Sequence, residues 1–425
     1  MTTPASLLDR LAPQVNTGVR AERGRTWFRA HGFPNPRQEA WRYTPVDEIA
    51  RVIAEGTPGP HATAGIDAAT IDRLAGSHGG PRMVFLNGAL ARELSDLDSE
   101  IQGLVLAGVD DLRPRRRPDQ LPPTDEPADG FHALNWAAGR DVAGIIVESD
   151  TTPDVPVHVV HLAVPGESVS VSHPRTVIAI RPRSRATVIE SFVGLGGRAV
   201  TNSSTRIVVG DDATLTYHRL MAEPEGTIHV ARTAMMQSRG STVTGRSIIC
   251  GGDIVRNAIE VTLSGDGATS NLEGLYLPIG SERHDNMITV DHAASHGRSM
   301  QRFKGIVDDH GRGSFSGHVI VSHGTVGNDA DQSNPNLVLT PAAQADSRPW
   351  LEIYADDVAC NHGATVGRLD SDALFYLRSR GIPATEARSM LVAAFAAEIL
   401  DAVEPTSLRE WLDAVIARRH GSRTA

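Results

Sequence analysis

The sequence predicts a mainly β protein with a parallel β-helix (solenoid) core flanked by N-terminal and C-terminal helical regions. Between about residues 140 and 368, short β-rich runs follow one another, with Gly, Asp, Asn or Ser at nearly every junction. Helical spacing of apolar residues is confined to the two ends of the chain. Aromatic residues make up only 4% of the 425 residues, whereas glycine (40) and proline (25) are plentiful. This composition favours thin, repeated β layers over one large mixed core.

The first 130 residues predict a helical and mixed region. Leu7, Leu8 and Leu11 open a series of apolar residues at near-helical spacing. The series ends near Pro34, because proline cannot continue a helix. Residues 113–129 are rich in Pro, Asp and Arg, which predicts a linker before the next region.

Residues 131–369 predict the β-helix itself. The β-rich runs are too many and too evenly short for one simple sandwich. A single coil of a solenoid cannot bury its apolar face alone, but stacked coils bury a continuous core. Small residues such as Gly305, Gly313 and Gly317 suit tight corners between the strands.

Residues 370–425 predict a C-terminal helical region. Asp370 or Ser371 can cap a first helix, which Gly381 can end. A second helix is predicted over residues 386–403, and a third follows it. The predicted apolar face of the second helix comprises Met390, Leu391, Ala394, Phe395, Ile399 and Leu400.

Composition limits the partners and the compartment. The formal net charge of −10 argues against nucleic acid or an anionic membrane as the main partner. Two cysteines cannot form a disulfide framework in a chain of this length, and reduced thiols fit the cytoplasm. The N-terminal residues lack the cationic start and apolar run of a secretory signal. No apolar stretch reaches the roughly 18–20 residues that a transmembrane helix needs, so we expect a cytoplasmic protein.

Cys360 and His362 form the first candidate site. Thiolate and imidazole bind soft and borderline metals well, and residues i and i+2 of a strand point to the same face. A closed metal site needs four ligands, so the remaining ones would come from elsewhere in this chain or from a partner. The alternative is a thiol that packs as a small hydrophobe beside a hydrogen-bonded histidine. Spacing alone leaves both interpretations open.

Other cysteine and histidine residues favour structural roles. Cys250 lies in an apolar strand before a glycine pair, which indicates a packed thiol. Six histidines stand close together along the chain, but on strands their spacing does not bring them together. The six are His284, His292, His296, His310, His318 and His323. We interpret most of these six as structural residues at polar positions on solenoid edges.

Motifs of nucleotide binding and serine hydrolysis are absent from the sequence. No GxxxxGK[ST] phosphate loop and no GxSxG elbow occurs. If ATP drives the system, another subunit must therefore bind it.

Several segments resemble the SufB/SufD family of iron–sulfur cluster assembly scaffolds. They are the WRYT element at residues 41–44, the ALN element at 133–135, the stretch ERHDN…VDHAASHGRSMQRFKG at 282–305, and EIYADDVACNHGATVGRLDSDALFYLRSRGIP at 352–383. SufB-type chains carry a cysteine in the segment that matches residues 331–337. Asn334 is the nearest match here, which assigns the chain to the SufD branch.

The resemblance implies a non-catalytic scaffold subunit of the SufBCD complex. Such a subunit pairs with a SufB-like chain and recruits SufC, an ABC-type ATPase. It implies a transient iron–sulfur cluster at the SufB–SufD interface, with His362 and then Cys360 as the residues this chain contributes. The resemblance also links the complex to reduced flavin and allows a homodimer of the isolated chain.

The C-terminal helices carry two interpretations. They can cover the open end of the solenoid, where strand edges are unpaired. The resemblance implies that they also dock the ATPase. The residues that we assign to docking are Leu374, Phe375, Tyr376, Arg378 and Arg380.

Two other functions stay open at this point. A β-helix can act on polysaccharides with paired carboxylates as acid and base, and Asp308–Asp309 or Asp356–Asp357 are the available pairs. Neighbouring residues on a strand point to opposite faces, which counts against either pair as a dyad. The other alternative is a self-associating structural β-solenoid.

Overall fold

The computed structural model describes residues 3–12, 18–35, 37–60, 65–98, 101–108 and 126–421, without the side chains of residues 420 and 421. Most of the predicted linker, residues 113–125, lies outside this described part. The described helices are α1 (Pro4–Leu11), α2 (Val19–His31), α3 (Val46–Glu55), α4 (Ala68–Ala75), α5 (Gly130–Ala138), α6 (Ser371–Ser379), α7 (Ala384–Leu400) and α8 (Thr406–Gly421). Short 3-10 helices span Glu39–Trp41 and Arg92–Leu94.

The strands form two large sheets. The early strands are β1 (Thr57–Pro58), β2 (Arg82–Leu86), β3 (Ala89–Leu90), β4 (Leu104–Ala107), β5 (Ala143–Val147), β6 (Val157–Ala163) and β7 (Ser170–Ser172). The later strands are β8 (Arg175–Ile180), β9 (Arg185–Gly194), β10 (Ala199–Val209), β11 (Thr214–Met221), β12 (Thr227–Gln237), β13 (Thr242–Ile249), β14 (Ile254–Leu263), β15 (Thr269–Tyr276), β16 (Arg283–His292), β17 (Arg298–Val307), β18 (Arg312–Val321), β19 (Asn328–Val338), β20 (Gln344–Ile353) and β21 (Val358–Gly367).

From β8 onward the chain alternates between the two sheets. Even-numbered strands join the first sheet in the order β20-β18-β16-β14-β12-β10-β8, and odd-numbered strands join the second in the order β21-β19-β17-β15-β13-β11-β9. Each of these pairings is parallel. The result is a parallel β-solenoid of about eight turns, with helices at the N- and C-termini of the chain. The predicted fold class is confirmed.

The core lies between the two sheets, where equivalent residues of successive coils stack. Ile207, Met235, Val261, Val290 and Val319 occupy one register position in consecutive strands of the first sheet. All five are buried. Full burial of such a side chain stabilises the fold by about 1.5–3 kcal/mol. The coils therefore hold one another in place, as the sequence analysis expected for stacked units.

The helices cover the outer faces of the sheets. On the first sheet, Phe28, Trp41 and Phe131 from the N-terminal region pack with Val200 and Val230. On the second sheet, buried residues of α7 and α8 pack against one outward side chain from each of several strands: Leu220, Ile248, Leu275, Ile306 and Leu337. The interpretation of the C-terminal helices as a cap over the open end is therefore wrong for α7 and α8.

A buried lysine joins α7 to the second sheet. Lys304 on β17 is the only lysine of the chain and is 4% exposed. Its Nζ donates to the carbonyl oxygen of Phe395 at 2.9 Å and pairs with the carboxylate of Glu398. The ammonium also lies 4.2 Å from the centre of the Phe395 ring. Hydrogen bonds to a charged group contribute about 1.5–3 kcal/mol, so this contact helps to fix α7 in place.

Candidate metal centre at the open end of the solenoid

Cys360 and His362 lie on β21, the last strand of the second sheet. They are in register with Ala330 and Gln332 of the preceding coil, both of which are buried. Their Cα atoms are roughly 7 Å apart, given the rise of a strand, and their side chains share one face. That face continues the interior of the solenoid. The pair therefore stands where the inner surface of the last coil becomes open.

The thiol of Cys360 is half-buried. It packs against a small apolar cluster that includes Val319, Val321 and Ala330. Burial raises its pKa, and the negative charge of Asp329 adds to this, while a backbone hydrogen bond from Ala330 opposes it. The thiol is therefore protonated at neutral pH in the isolated chain. Since the thiolate is the metal-binding form, a metal has to displace this proton. The side chain of His362 is exposed.

Unsatisfied polar atoms lie directly beneath His362. The side chain of Gln332 is 1% exposed, yet neither its Nε2 nor its Oε1 has a hydrogen-bond partner among the described residues. The same holds for Gln301 at the corresponding position of β17. Leaving a buried polar group unpaired costs about 1–3 kcal/mol. This row of amides makes the interior beneath His362 polar, whereas the interior beneath Cys360 is apolar.

The pair is not a complete metal site. Within the described part of the chain, no group of three or more His, Cys, Asp or Glu side chains is arranged to hold a metal ion. A closed zinc site uses four protein ligands, and iron–sulfur clusters are usually held by four thiolates. A metal bound by Cys360 and His362 would therefore need further ligands from outside the described residues.

Asn334, the nearest match to the SufB-type cysteine, is a structural residue. Its Nδ2 donates to the carbonyl oxygen of Phe303 at 2.7 Å and to the hydroxyl of Tyr276 at 3.1 Å. Tyr276 in turn donates to Oδ1 of Asn336 at 2.5 Å. Amides and a phenol thus fill this interior position.

The histidine-rich segment does not converge on a site. His284 and His292 are buried, which agrees with a structural role for these two. His292 contacts the hydroxyl of Ser299 at 2.8 Å, and His318 stacks on Trp350 with ring centres 4.4 Å apart.

Cys250 is buried under the C-terminal helices, where burial raises its pKa to about 11. The interpretation of Cys250 as a packed thiol is confirmed.

The residues assigned to docking lie on α6, which begins just after the last strand. Asp370 caps this helix through the amides of Asp372 and Ala373, as predicted. No residue of α6 is buried, and Phe375 and Tyr376 are 73% and 57% exposed. The positions share this helix: Leu374 and the aromatic pair, followed by Arg378 and, at its C-cap, Arg380. A helix with two large exposed aromatic side chains is typical of an interaction surface.

Sequence reasoning missed a cluster of polar side chains inside the solenoid, which we call the interior polar cluster. It comprises His161, Thr176, Glu190, Thr201, Ser203, Thr205, Tyr217, Arg219, Glu223, His229 and Thr233. Every member is at most 3% exposed. The carboxylate of Glu190 has three partners in this cluster. It accepts hydrogen bonds from Thr205 and Tyr217, and its Oε1 lies 3.3 Å from Nε2 of His161.

Part of the cluster has the connectivity of a hydrolytic triad. The hydroxyl of Ser203 lies 2.8 Å from Nε2 of His229. Nδ1 of His229 lies 2.7 Å from Oε2 of Glu223, but this contact lacks the geometry of a hydrogen bond. The small cavity bordered by Ser203 has a volume of about 10 Å³, and one water molecule needs about that much. The hydroxyl of Ser203 also accepts from Arg219 at 2.8 Å. Enclosed in this way, the three side chains form a structural network.

One signal in the sequence could have found the interior polar cluster. Glu190 and Arg219 stand inside otherwise apolar runs, at positions that alternate with neighbours on the outer face. Charged residues are almost never fully buried unless they are paired. Two opposite charges in β-rich runs that become adjacent strands of one sheet, β9 and β11, therefore indicate an ion pair inside the solenoid.

The acidic pairs of the polysaccharide alternative lie in turns. Asp308 and Asp309 follow β17, and Asp356 and Asp357 precede β21. Asp308 lies 3.5 Å from the guanidinium of Arg388 on α7. Near it, a groove of about 970 Å³ runs between the coils and the helices α7 and α8. In neither pair do the two carboxylates lie on the same face of a strand, as an acid–base pair would require.

The geometry defines a class of protein: a parallel β-solenoid whose last strand carries a cysteine and a histidine on one face at an open end. A family model described as "SUF system FeS cluster assembly, SufBD core domain" matches residues 162–395. The chain is 32% identical over 394 residues to the iron–sulfur cluster assembly protein SufD of Escherichia coli, covering 91% of this chain and 89% of that protein. It therefore belongs to the SufB/SufD family of iron–sulfur cluster assembly proteins, in the SufD branch.

Other relatives extend this result. An iron–sulfur cluster assembly SufBD family protein of Synechocystis is 28% identical over 391 residues, covering 89% of this chain and 85% of that protein. The SufD protein of Bacillus subtilis is 27% identical over 293 residues, covering 68% and 66% of the two chains. Among the described residues, no helix is long and apolar enough to cross a membrane.

Proposed function

We propose that this chain is a non-catalytic scaffold of the SufBCD type, which offers half of a cluster site to a SufB-like partner. The observation that carries the proposal is the position of Cys360 and His362. They share one face of the last strand, at the open end of the solenoid, in an incomplete ligand set. An iron–sulfur cluster, held transiently as cargo, would complete its coordination with ligands of the partner.

Pairing through the open end agrees with the exposure of the last coil. In the described part of the chain, β20 pairs only with β18, and β21 pairs only with β19. Their outer edges carry unpaired backbone donors and acceptors, which can form a ladder with another chain. The apolar side chains of Ile353, Tyr354 and Val366 are 41%, 48% and 57% exposed there. A second solenoid placed end to end would cover them.

Recruitment of a SufC-like ATPase belongs to the same proposal. It is supported by the exposed aromatic side chains of α6 and by the absence of a phosphate-binding loop in this sequence. The ATPase would supply the energy, and the scaffold would supply the surface. Reduced flavin in the complex, the cytoplasmic location and the three-part division at residues 130 and 369 stay predictions.

The test is purification of the complex after co-expression with SufB-like and SufC-like chains, followed by iron and sulfide analysis. We expect His362→Ala to lower the iron and sulfide content of an otherwise intact complex severalfold, and Cys360→Ala to lower it less. The matched control is His310→Ala, because His310 is an exposed histidine in a turn between β17 and β18. Equal cluster content in the His362 and His310 variants would contradict the assigned site.

The same preparation separates the alternatives. A chain that copurifies with neither partner but forms regular self-assemblies would be a structural solenoid. Turnover on a glycan panel that is lost in Asp308→Asn would identify a polysaccharide-active enzyme. We expect neither result, because the chain belongs to a family of cluster assembly proteins.

A further inference from the structure

Four arginines border a small cavity on the outer face of the first sheet. The cavity lies several coils before the open end. The cavity lies between strands β8, β10 and β12 and the helices α2 and α5. Its arginines are Arg20, Arg175, Arg206 and Arg232, and none of the described residues that line it is acidic. Nothing in the proposed function uses this cavity.

The sheet register explains why the arginines converge on Ser204. In the parallel ladder, Ser204 on β10 lies opposite Arg175 on β8 and opposite Arg232 on β12. Neighbouring strands are about 4.8 Å apart, and Arg206 follows two residues along β10 on the same face. Arginines on three strands therefore flank Ser204 on the outer face of the sheet, and Arg20 lines the same cavity from α2.

Three of the four arginines are held by other groups. Arg175 donates to the carbonyl oxygens of Gly139 and Asp141 at 2.9 and 3.2 Å. Arg232 pairs with Glu260 through contacts of 3.1 and 2.5 Å. The guanidinium of Arg20 lies over the ring of Trp136, 5.0 Å from its centre. Their guanidinium groups are therefore positioned before any ligand arrives.

Arg206 is different. It is half-buried and has no hydrogen bond or ion pair with any described residue. Burial, together with the positive charges of Arg20 and Arg232, lowers its pKa to about 10. Burial and the same arginines keep the pKa of His132, on the cavity wall, well below its usual value. A half-buried cation among like charges is costly unless an anion joins it.

The cavity has the size of a small anion. Its volume is about 40 Å³, while a site for one water needs about 10–15 Å³ on the same measure. Guanidinium groups bind tetrahedral oxyanions through paired hydrogen bonds, and the hydroxyl of Ser204 adds a further donor.

We propose that the cavity around Ser204, bordered by Arg20, Arg175, Arg206 and Arg232, binds a phosphate-type oxyanion. The ligand is either free phosphate or the phosphate group of a larger molecule. Binding would link the helix α2 to the sheet through one shared anion, because Arg20 belongs to α2 and the other three arginines belong to strands.

The test is thermal unfolding and calorimetric titration of the full-length chain with sodium phosphate against sodium chloride of equal ionic strength. A ligand of the folded state raises the unfolding temperature in proportion to the logarithm of its concentration. We expect a saturable rise with phosphate, and at least tenfold weaker binding in Arg206→Gln. The matched control, Arg298→Gln, removes an exposed arginine at the start of β17 and should bind like the wild type.

A second variant keeps the result interpretable if Arg206→Gln folds poorly. Ser204→Asp places a carboxylate among the arginines, so we expect a higher unfolding temperature without phosphate and no response to phosphate. Acetate serves as the planar anion control and should bind weakly. A stronger response to ADP than to phosphate would assign the site to a phosphate ester, and the reverse to the free ion. Equal melting in phosphate and chloride, or an unchanged response in Arg206→Gln, would overturn the proposal.

Discussion

Glu190 shows how a single carboxylate can organise the interior of the solenoid. Burial alone would raise its pKa, but the hydrogen bond from His161 and the positive charge of Arg219 lower it to about 2. The side chain is fully buried and also accepts from Thr205 and Tyr217. Its charge is therefore compensated from both sheets, since Thr205 belongs to β10 and Tyr217 to β11.

We expect Glu190→Gln to destabilise the chain by about 3–5 kcal/mol, because it leaves the buried cation of Arg219 without its counter-charge. The measurement is the free energy of unfolding from a denaturant titration. Glu148→Gln is the matched control. Glu148 pairs with Arg181 at 3.2 Å but its side chain is 50% exposed, so its loss should cost below about 1 kcal/mol. Similar losses in the two variants would contradict a compensated interior charge.

The same carboxylate predicts a pH dependence. The folded-state pKa of about 2 lies below the ordinary value of 4.5, so the ionised form stabilises the fold above about pH 4.5. This contribution is lost as the pH falls from 4.5 toward 2. We expect the stability difference between wild type and Glu190→Gln to be larger at pH 6 than at pH 3. A difference that is constant or grows at pH 3 would show that Glu190 is not ionised in the fold.

At the scale of single residues, the sequence predicted the candidate pair but not the interior polar cluster. The spacing of Cys360 and His362 is local, and strand geometry alone fixes their shared face. By contrast, Ser203, Glu223 and His229 meet only because the coil register places β10 and β12 side by side. That register depends on the lengths of the turns, which the sequence pattern does not specify residue by residue.

At the scale of elements, helix positions were predictable and helix contacts were not. The second C-terminal helix was predicted over residues 386–403, and α7 spans Ala384–Leu400. Its predicted apolar face was wrong in part, because Met390 is 45% exposed whereas Val392 and Ala396 are buried. The helix is apolar nearly all round, so periodicity could not select the face that meets the solenoid.

The exposed helix α6 gives the prediction at this scale. Replacing Phe375 and Tyr376 together by alanine should leave the free energy of unfolding of the isolated chain within about 0.5 kcal/mol, because both side chains are exposed. If α6 docks the ATPase, the same change should weaken its binding at least tenfold, since exposed aromatic residues dominate many interfaces. Binding is measured by titration with the purified SufC-like partner.

Met390→Ala is the matched control for the α6 variant. Met390 is an exposed apolar residue of α7 and lies outside α6. We expect it to bind the ATPase like the wild type. Equal affinity of the ATPase for the α6 variant and for this control would assign docking to another surface.

At the scale of the whole molecule, repetition made the fold predictable. One rule, that small turn residues separate short strands, recurs through the chain, so errors at single boundaries do not change the architecture. The repeated pattern could not predict which coils of the solenoid are covered by helices and which are left exposed. The helices α7 and α8 lie along the second sheet instead of across its last coil, and β20 and β21 therefore keep open edges.

An open stack with exposed apolar side chains predicts association through its end. Ile353 and Val366 stand at inward register positions of β20 and β21, opposite Val321 and Asn336 of the coil before. Replacing both by lysine puts two charges at this end, and like charges on edge strands oppose pairing. We expect the wild-type chain to form dimers whose fraction rises with concentration, and the double variant to stay monomeric in sedimentation experiments.

Val326→Lys is the control, because Val326 is 45% exposed in a turn between β18 and β19. The double variant should also copurify with the SufB-like chain at least tenfold less than the control does. Undiminished pairing of the double variant with itself and with that partner would mean that the open end is not the interface, and the shared cluster site at Cys360 and His362 would lose its physical basis.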